Sequence, residues 1–271
     1  MRVETVGAET ADTAPSVAAV GAIHGDEPCG ARAVERFLAE GPTDRVQRPV
    51  KLVVANERAL EAGVRSVEGD LNRLFPGDPE SDVYEERLAH ALWTELAGCS
   101  ILGFHATVSF DEPFGTLADL TPEKAELMRA LPLDHAADFT GVVSGRSVTL
   151  PGFVNVEAGY QGSAAAADAA YDCLLAFLRV TDVLPGAPDP TPTNHYRVRE
   201  AVEKRPGRAY ELHGANFERV PAGEAYATTD RGERLRAETD RWPVLMSSDG
   251  HETLLGYTAE LTGEIAAAVD R

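Results

Sequence analysis

Between residues 16 and 180, short apolar runs alternate with longer amphipathic stretches, and this alternation limits the fold more than any other feature of the chain. Residues 16–23 are a run rich in Val, Ala and Ile; residues 49–55, 99–104 and 153–156 are similar. Each has the length and apolar content of a strand buried on both faces. Between them the spacing becomes helical. Pro28 suits a first helical turn, and Val34, Phe37 and Leu38 mark one helix face after it. Asp82 and Glu85 form a candidate N-terminal cap for a helix with Tyr84, Leu88, Ala91, Leu92 and Leu96 on one side. Residues 163–180 place Tyr171, Leu174, Leu175 and Leu178 on another buried stripe. The expected fold class is therefore α/β, with a mixed, largely parallel sheet flanked by helices.

The pattern changes near Leu184. Residues 184–194 hold Pro185, Pro188, Pro190 and Pro192, which read as a linker. Short β-like runs follow, separated by Gly207, Gly214, Gly223, Gly232, Gly250 and Gly256. The expected organisation is an α/β domain over residues 1–188 and a small all-β domain over 191–271 that covers the cleft of the first.

Charge narrows the partners. The chain of 271 residues has 44 acidic against 25 basic side chains and a net charge of -19. Only Lys51, Lys124 and Lys204 are lysines. Such a surface repels nucleic-acid phosphates and anionic membranes, so neither is expected as a partner. Dense carboxylates with few lysines point to adaptation to high salt, where self-repulsion is screened. No apolar stretch reaches the length of a membrane-spanning helix, and residues 1–15 lack the basic and apolar regions of a secretory signal. Cys29, Cys99 and Cys173 show no paired spacing and read as buried thiols of a reducing, cytoplasmic compartment. A homo-oligomer is compatible with this composition.

The chemistry-bearing residues sit where the apolar runs end. His24-Gly25-Asp26-Glu27 follows the first run directly. At a strand end turning into a helix, His24 and Glu27 can face one point, and crevices at strand ends are where open α/β sheets place their sites. Imidazole nitrogen and carboxylate oxygen both suit zinc, and a catalytic site needs three protein ligands with one position open. His105, just past the run 99–104, is the candidate third ligand. Residues 56–73 form a polar loop with Arg58, Arg65, Asn72 and Arg73. Arginine forks bind carboxylates in bidentate fashion; the alternative is that these arginines balance Glu57, Glu61 and Glu68. Glu157 closes the apolar run 153–156, placed either as a surface charge or as a group that takes a proton from attacking water and passes it to a leaving nitrogen. Arg146 lies eleven residues upstream and can reach the same cleft.

Together these motifs resemble the succinylglutamate desuccinylase and aspartoacylase family, which has a zinc carboxypeptidase-like fold. The match comprises H-G-D-E at His24 to Glu27, Asn56 with Arg65, D-L-N-R at Asp70 to Arg73, His105, and V-E-A-G around Glu157. The resemblance implies one Zn2+ per chain held by His24, Glu27 and His105, with Glu157 as general base. It implies that Arg65 polarises the scissile carbonyl. Asn72 and Arg73 would hold one carboxylate, Arg146 a second, and Tyr257 would lean into the cleft. The implied activity is deacylation of a small acidic N-acyl amino acid. A zinc carboxypeptidase acting on short peptides and a non-catalytic binder of small acidic ligands are the rivals.

Two departures from the family stand out. Gly103 and Phe104 precede His105 where the family carries D-L, so an acid that orients the ligand imidazole is missing, with Asp26 or Asp111 as stand-ins. Ala106 follows His105 in place of a polar residue. His90, His135, His195, His213 and His251 read as surface residues, and Trp93 and Trp242 as core.

Overall fold

The computed structural model describes residues 1–7, 14–143 and 146–265. Its strands are β1 (Arg2–Val6), β2 (Val17–Gly21), β3 (Val50–Val54), β4 (Ser100–Thr107), β5 (Phe114–Leu117), β6 (His135–Asp138), β7 (Phe153–Tyr160), β8 (Asn194–Glu203), β9 (Tyr210–Leu212), β10 (Ala225–Thr229), β11 (Arg234–Arg236), β12 (Trp242–Val244) and β13 (Leu254–Glu264). The α-helices are α1 (Cys29–Glu40), α2 (Glu57–Ala62), α3 (Tyr84–Glu95), α4 (Pro122–Ala130) and α5 (Ala164–Val180). Ten strands form one mixed sheet in the order β1-β3-β2-β4-β7-β5-β6-β8-β13-β12. The central pairs β3·β2, β2·β4 and β4·β7 are parallel, as are β5·β6 and β6·β8.

The sheet's alternation divides the apolar residues into two layers. Val17, Ala19, Leu102, Phe104, Val154 and Val156 face one way, against Phe37 of α1 and Leu174 and Phe177 of α5. Ala18, Val20, Ile101 and Phe153 face the other way, against Leu88, Ala89 and Leu92 of α3. Burial on both faces explains why β2 is apolar throughout. Each such Leu or Phe, fully removed from water, contributes about 1.5–3 kcal/mol before chain entropy is set against it. Helix starts follow local chemistry: Ser163 Oγ accepts from the N–H of Ala166 to cap α5, and Thr121 Oγ1 caps α4 through Lys124, with Pro122 in the first turn.

Several sequence expectations need correction. Asp82 and Glu85 do not cap α3, whose N-cap is Val83 with no side-chain bond. On α3, Ala89 is buried and Ala91 is exposed. Residues 57–62 of the expected loop are helical (α2), capped by Asn56 Oδ1 on the N–H of Ala59. The strands expected at 99–104 and 153–156 run on to Thr107 and Tyr160, so His105 and Glu157 lie within strands, paired in register with each other. Trp93 and Trp242 are only partly buried. All three cysteines are free and buried.

Among the described residues after the proline-rich stretch, the regular elements are all strands, in two places. β8 hydrogen-bonds to β6, and β13 and β12 extend the same ten-stranded sheet. β9, β10 and β11 form a separate three-stranded antiparallel sheet. No helix among the described residues is long and apolar enough to cross a membrane.

Candidate active site

A cleft of about 250 Å³ opens at the carboxyl ends of β2 and β4. It gathers the residues to which the resemblance gave a role at the metal or the substrate: His24, Glu27 and His105; Arg65, Asn72 and Arg73; and Arg146, Glu157 and Tyr257. Leu245, Ser247, His251 and Leu254, from the β-rich C-terminal part, line the same space.

His24, Glu27 and His105 are buried, and one donor atom from each lies within 4.8 Å of the others. His24 Nδ1 stands 2.8 Å from Glu27 Oε1, and His105 Nδ1 stands 2.9 Å from Glu27 Oε2. The two Nδ1 atoms are 3.2 Å apart. Two imidazole nitrogens and a carboxylate brought together out of water are a donor set that a divalent cation satisfies. Local packing fixes this loop. An added Cβ at Gly25 would lie 2.1 Å from the backbone carbon of Ala59, so only glycine lets the H-G-D-E turn rest on α2. The Gly25 N–H donates to the Arg65 carbonyl, tying the turn to the arginine loop.

The electrostatics are strongly coupled. Burial opposes charge on His24, but Glu27 and Asp70 outweigh it and raise its pKa to about 9. Burial would also raise Glu27; the two histidines hold it well below the usual carboxylate range. Burial lowers His105 against the pull of Glu27. At Glu157, burial and then the charge of Glu27 push the carboxyl up to about 8, against His24, Arg65 and Arg146. Perturbed groups of opposite tendency sharing a cleft mark chemistry more often than packing.

The arginines are held by acids of the site. Arg65 donates from Nη1 to Glu27 Oε1 at 3.0 Å and from Nη2 to Asp70 Oδ2 at 3.3 Å. Arg73 Nε pairs with the same Asp70 oxygen at 3.3 Å. Arg58 instead lies over the ring of Tyr84, 4.4 Å from its centroid. Asn72 Oδ1 accepts from both the N–H and Oγ of Ser147, so its NH2 is the end it offers the cleft.

Three supporting acids and amides were not legible as such. Asp70 Oδ1 is 2.9 Å from His24 Nε2, whereas on His105, the imidazole the missing acid would orient, Nε2 is buried with no hydrogen-bond partner among the described residues, so neither Asp26 nor Asp111 takes that part. Glu85, which looked like a helix cap, accepts from the N–H groups of Val67, Glu68 and Gly69 and from Asn56 Nδ2. It thereby shapes the loop between Arg65 and Asp70. The missing acid at Gly103 has a steric counterpart: an added Cβ there would lie 2.0 Å from Asn155 Oδ1. Asn155, its register partner on β7, fills that space and donates through Nδ2 to Ser147 Oγ.

Residues 13–107, which carry the H-G-D-E and D-L-N-R motifs, match the succinylglutamate desuccinylase/aspartoacylase catalytic domain. The chain has the succinylglutamate desuccinylase/aspartoacylase fold. The ectoine utilization protein EutE (DoeB) from Ruegeria pomeroyi, in a product-bound structure, is 23% identical with a TM-score of 0.75, covering 91% of this chain and 85% of that one. A succinylglutamate desuccinylase/aspartoacylase from Rhodobacter sphaeroides is 21% identical with a TM-score of 0.74 over the same shares. Murine aminoacylase 3 is 19% identical with a TM-score of 0.67, covering 92% of this chain and 100% of that one. A search among curated proteins found no sequence match. Within the desuccinylase/aspartoacylase fold, the cleft therefore lies in the segment the family match covers together with Arg146, Glu157 and the C-terminal residues.

Proposed function

We propose that this protein is a zinc-dependent hydrolase that cleaves the amide bond of a small, acidic N-acyl amino acid. The observation that carries the proposal is the convergence, in one cleft, of a buried two-histidine, one-carboxylate donor set with a further carboxyl, Glu157, and three arginines. The names of its structural neighbours (desuccinylase, aspartoacylase, aminoacylase) point to removal of an acyl group from an amino acid.

His24, Glu27 and His105 fit a zinc ion by donor type, burial and mutual distance. Bound there, zinc would supply Lewis acidity to a carbonyl and lower the pKa of water, and its charge would draw Glu157 down toward neutral pH. Asp70 keeps His24 in the tautomer and orientation that leave Nδ1 for the ion. Glu157 accepts a proton from the attacking water on its carboxylate oxygen and returns it to the departing nitrogen. Arg65 donates to the oxygen on which negative charge develops. Arg73, Asn72 and Arg146 hold the substrate's carboxylates, which a bidentate guanidinium distinguishes from neutral groups. Tyr257, almost fully buried, closes the side of the cleft next to Arg146 and Glu157.

We assign residues 1–188 to the catalytic part and 191–271 to a β part covering the cleft. Seven residues of the latter line the cleft, which favours a small substrate over a peptide of many residues and so a deacylase over a carboxypeptidase. Three free buried thiols support placement in the cytoplasm.

The test is amine release from a panel of N-acyl amino acids, with zinc and molar potassium chloride, by wild type and Glu157→Gln. Hydrolysis of an acidic member, abolished by chelator and reduced about 100-fold or more in the variant, is expected. Turnover of the best substrate by Glu157→Gln at the wild-type rate would remove the proposed base; release of C-terminal residues from peptides with no deacylation would favour the carboxypeptidase.

A further inference from the structure

His251 read as a surface histidine in the sequence, yet it stands at the cleft beside Arg73. Its Nδ1 faces two backbone donors, the N–H groups of Thr253 and Leu254, each at 3.2 Å. That nitrogen must accept, so the ring proton sits on Nε2, and Nε2 is a donor. Nε2 lies 3.0 Å from Arg73 Nη2, which can only donate. The opposite tautomer would turn one meeting of donors into two, and the doubly protonated ring would have meetings on both sides. Two donors therefore converge on one point of the cleft with nothing from the protein between them to accept.

This convergence is built rather than accidental. Arg73 is fixed through Nε by Asp70, which leaves its Nη end turned to His251. The loop carrying His251 is pinned by Lys204, one of three lysines in the chain, whose Nζ donates to the carbonyls of Ser248 and His251. The Lys204 N–H also binds the Thr253 carbonyl. Arg65, Arg146 and Lys204 add positive charge around the ring. In a chain of net charge -19, these cations gather beside one neutral ring of the cleft.

We propose that His251 is a substrate-binding residue: its Nε2–H and the Arg73 Nη2–H together hold a carboxylate of the amino-acid part, so a free carboxylate at that position is a condition of binding. An oxygen accepting from both donors satisfies the two at once; a carboxamide offers an oxygen as well, but without the negative charge that the surrounding arginines favour. Naming the anion as the substrate's carboxylate rests on the deacylase reading; the anion site itself does not.

The experiment is isothermal titration of zinc-loaded wild type, His251→Asn and His251→Gln with the free amino acid released from the best-cleaved panel member, or with L-aspartate if none is cleaved. The α-carboxamide of the same amino acid serves as the neutral probe. Asparagine places an acceptor where Nδ1 stands and keeps the loop, but lacks the Nε2 donor; glutamine reaches with a donor. Loss of affinity of about 10–100-fold in His251→Asn, recovery to within about threefold in His251→Gln, and no change for the carboxamide are expected. With a cleaved substrate, KM should move by the same factor while kcat stays within about threefold. Affinity in His251→Asn equal to wild type, rescue by asparagine but not glutamine, or no binding of the amino acid to wild type would each overturn the inference. Aspartate binding that depends on His251, without any panel hydrolysis, would leave the anion site standing and sink the deacylase reading alone.

Discussion

Gly103 stands where an acid of the resembled motif would lie, and a methyl group there is expected to be costly. In Gly103→Ala the new Cβ would lie 2.0 Å from Asn155 Oδ1 and 2.7 Å from Phe153 Cε1. Both neighbours are buried side chains, so relief means moving them. Turning Asn155 away breaks its bond to Ser147 Oγ. A buried amide left without that partner costs about 1–3 kcal/mol, and overpacking against the Phe153 ring adds roughly 1 kcal/mol or more. The sum is about 2–4 kcal/mol. For a domain of this size each kcal/mol moves Tm by roughly 2–4 °C, so a drop of about 4–16 °C is expected by circular dichroism. Ser147 Oγ also donates to Asn72 Oδ1, so the disturbance reaches a cleft residue and KM should rise with the drop in Tm. In the double variant Gly103→Ala/Asn155→Ala the clash with Oδ1 is gone, and the two changes should cost less together than their sum by about 1 kcal/mol or more. A Tm for Gly103→Ala within a degree of wild type, or strictly additive effects, would refute the claim that Asn155 occupies the space of the missing acid.

Asp70→Asn should weaken zinc affinity by about 10–100-fold in competition with a chelator, since it removes the carboxylate on His24 Nε2; an affinity within twofold of wild type would count against that role. Asp138 gives a pH signature: burial raises it, but His195, Thr140 and Arg197 bring it from 3.8 to about 2. A carboxyl lowered in the folded state stabilises the fold above its unfolded pKa, and that contribution disappears as pH falls through about 4 to 2. Asp138→Asn should therefore cost about 2 kcal/mol at neutral pH, with the gap from wild type closing in acid; a pH-independent gap would refute it. With a net charge of -19, thermal stability should climb steeply between low salt and molar potassium chloride, and a flat profile would end the high-salt interpretation.

The central sheet was legible because strands buried on both faces are written as continuous apolar runs, as at Val17–Gly21. The same criterion ended β4 and β7 too early, because His105, Thr107 and Glu157 are polar residues inside strands, placed there by the site. The cleft residues were legible through motifs whose members lie close in sequence, such as His24 with Glu27. What supports them is long-range and was not. Glu85 has the position of a helix cap, yet its partners are backbone groups at residues 67–69. Asn155 takes on meaning only when β7 pairs with β4 and lies against Gly103. His251 becomes informative only once its two ring nitrogens can be assigned separately, 178 residues away from Arg73 along the chain.

The pairing of β8 with β6 gives the proline-rich stretch an unexpected character. It is a seam in the sequence and not in the sheet. A fragment cut there would present Ala136 and Ala137 on a bare strand edge, with the aromatic cluster of Phe114, Phe139 and Tyr196 torn open beside it. Edges of that kind recruit other chains. Insertion of a tag or a second protein within residues 186–190, which are exposed or half-buried, asks nothing of the sheet, whereas truncation at the same place produces a template for aggregation. The protein tolerates being interrupted at that point far better than being ended there.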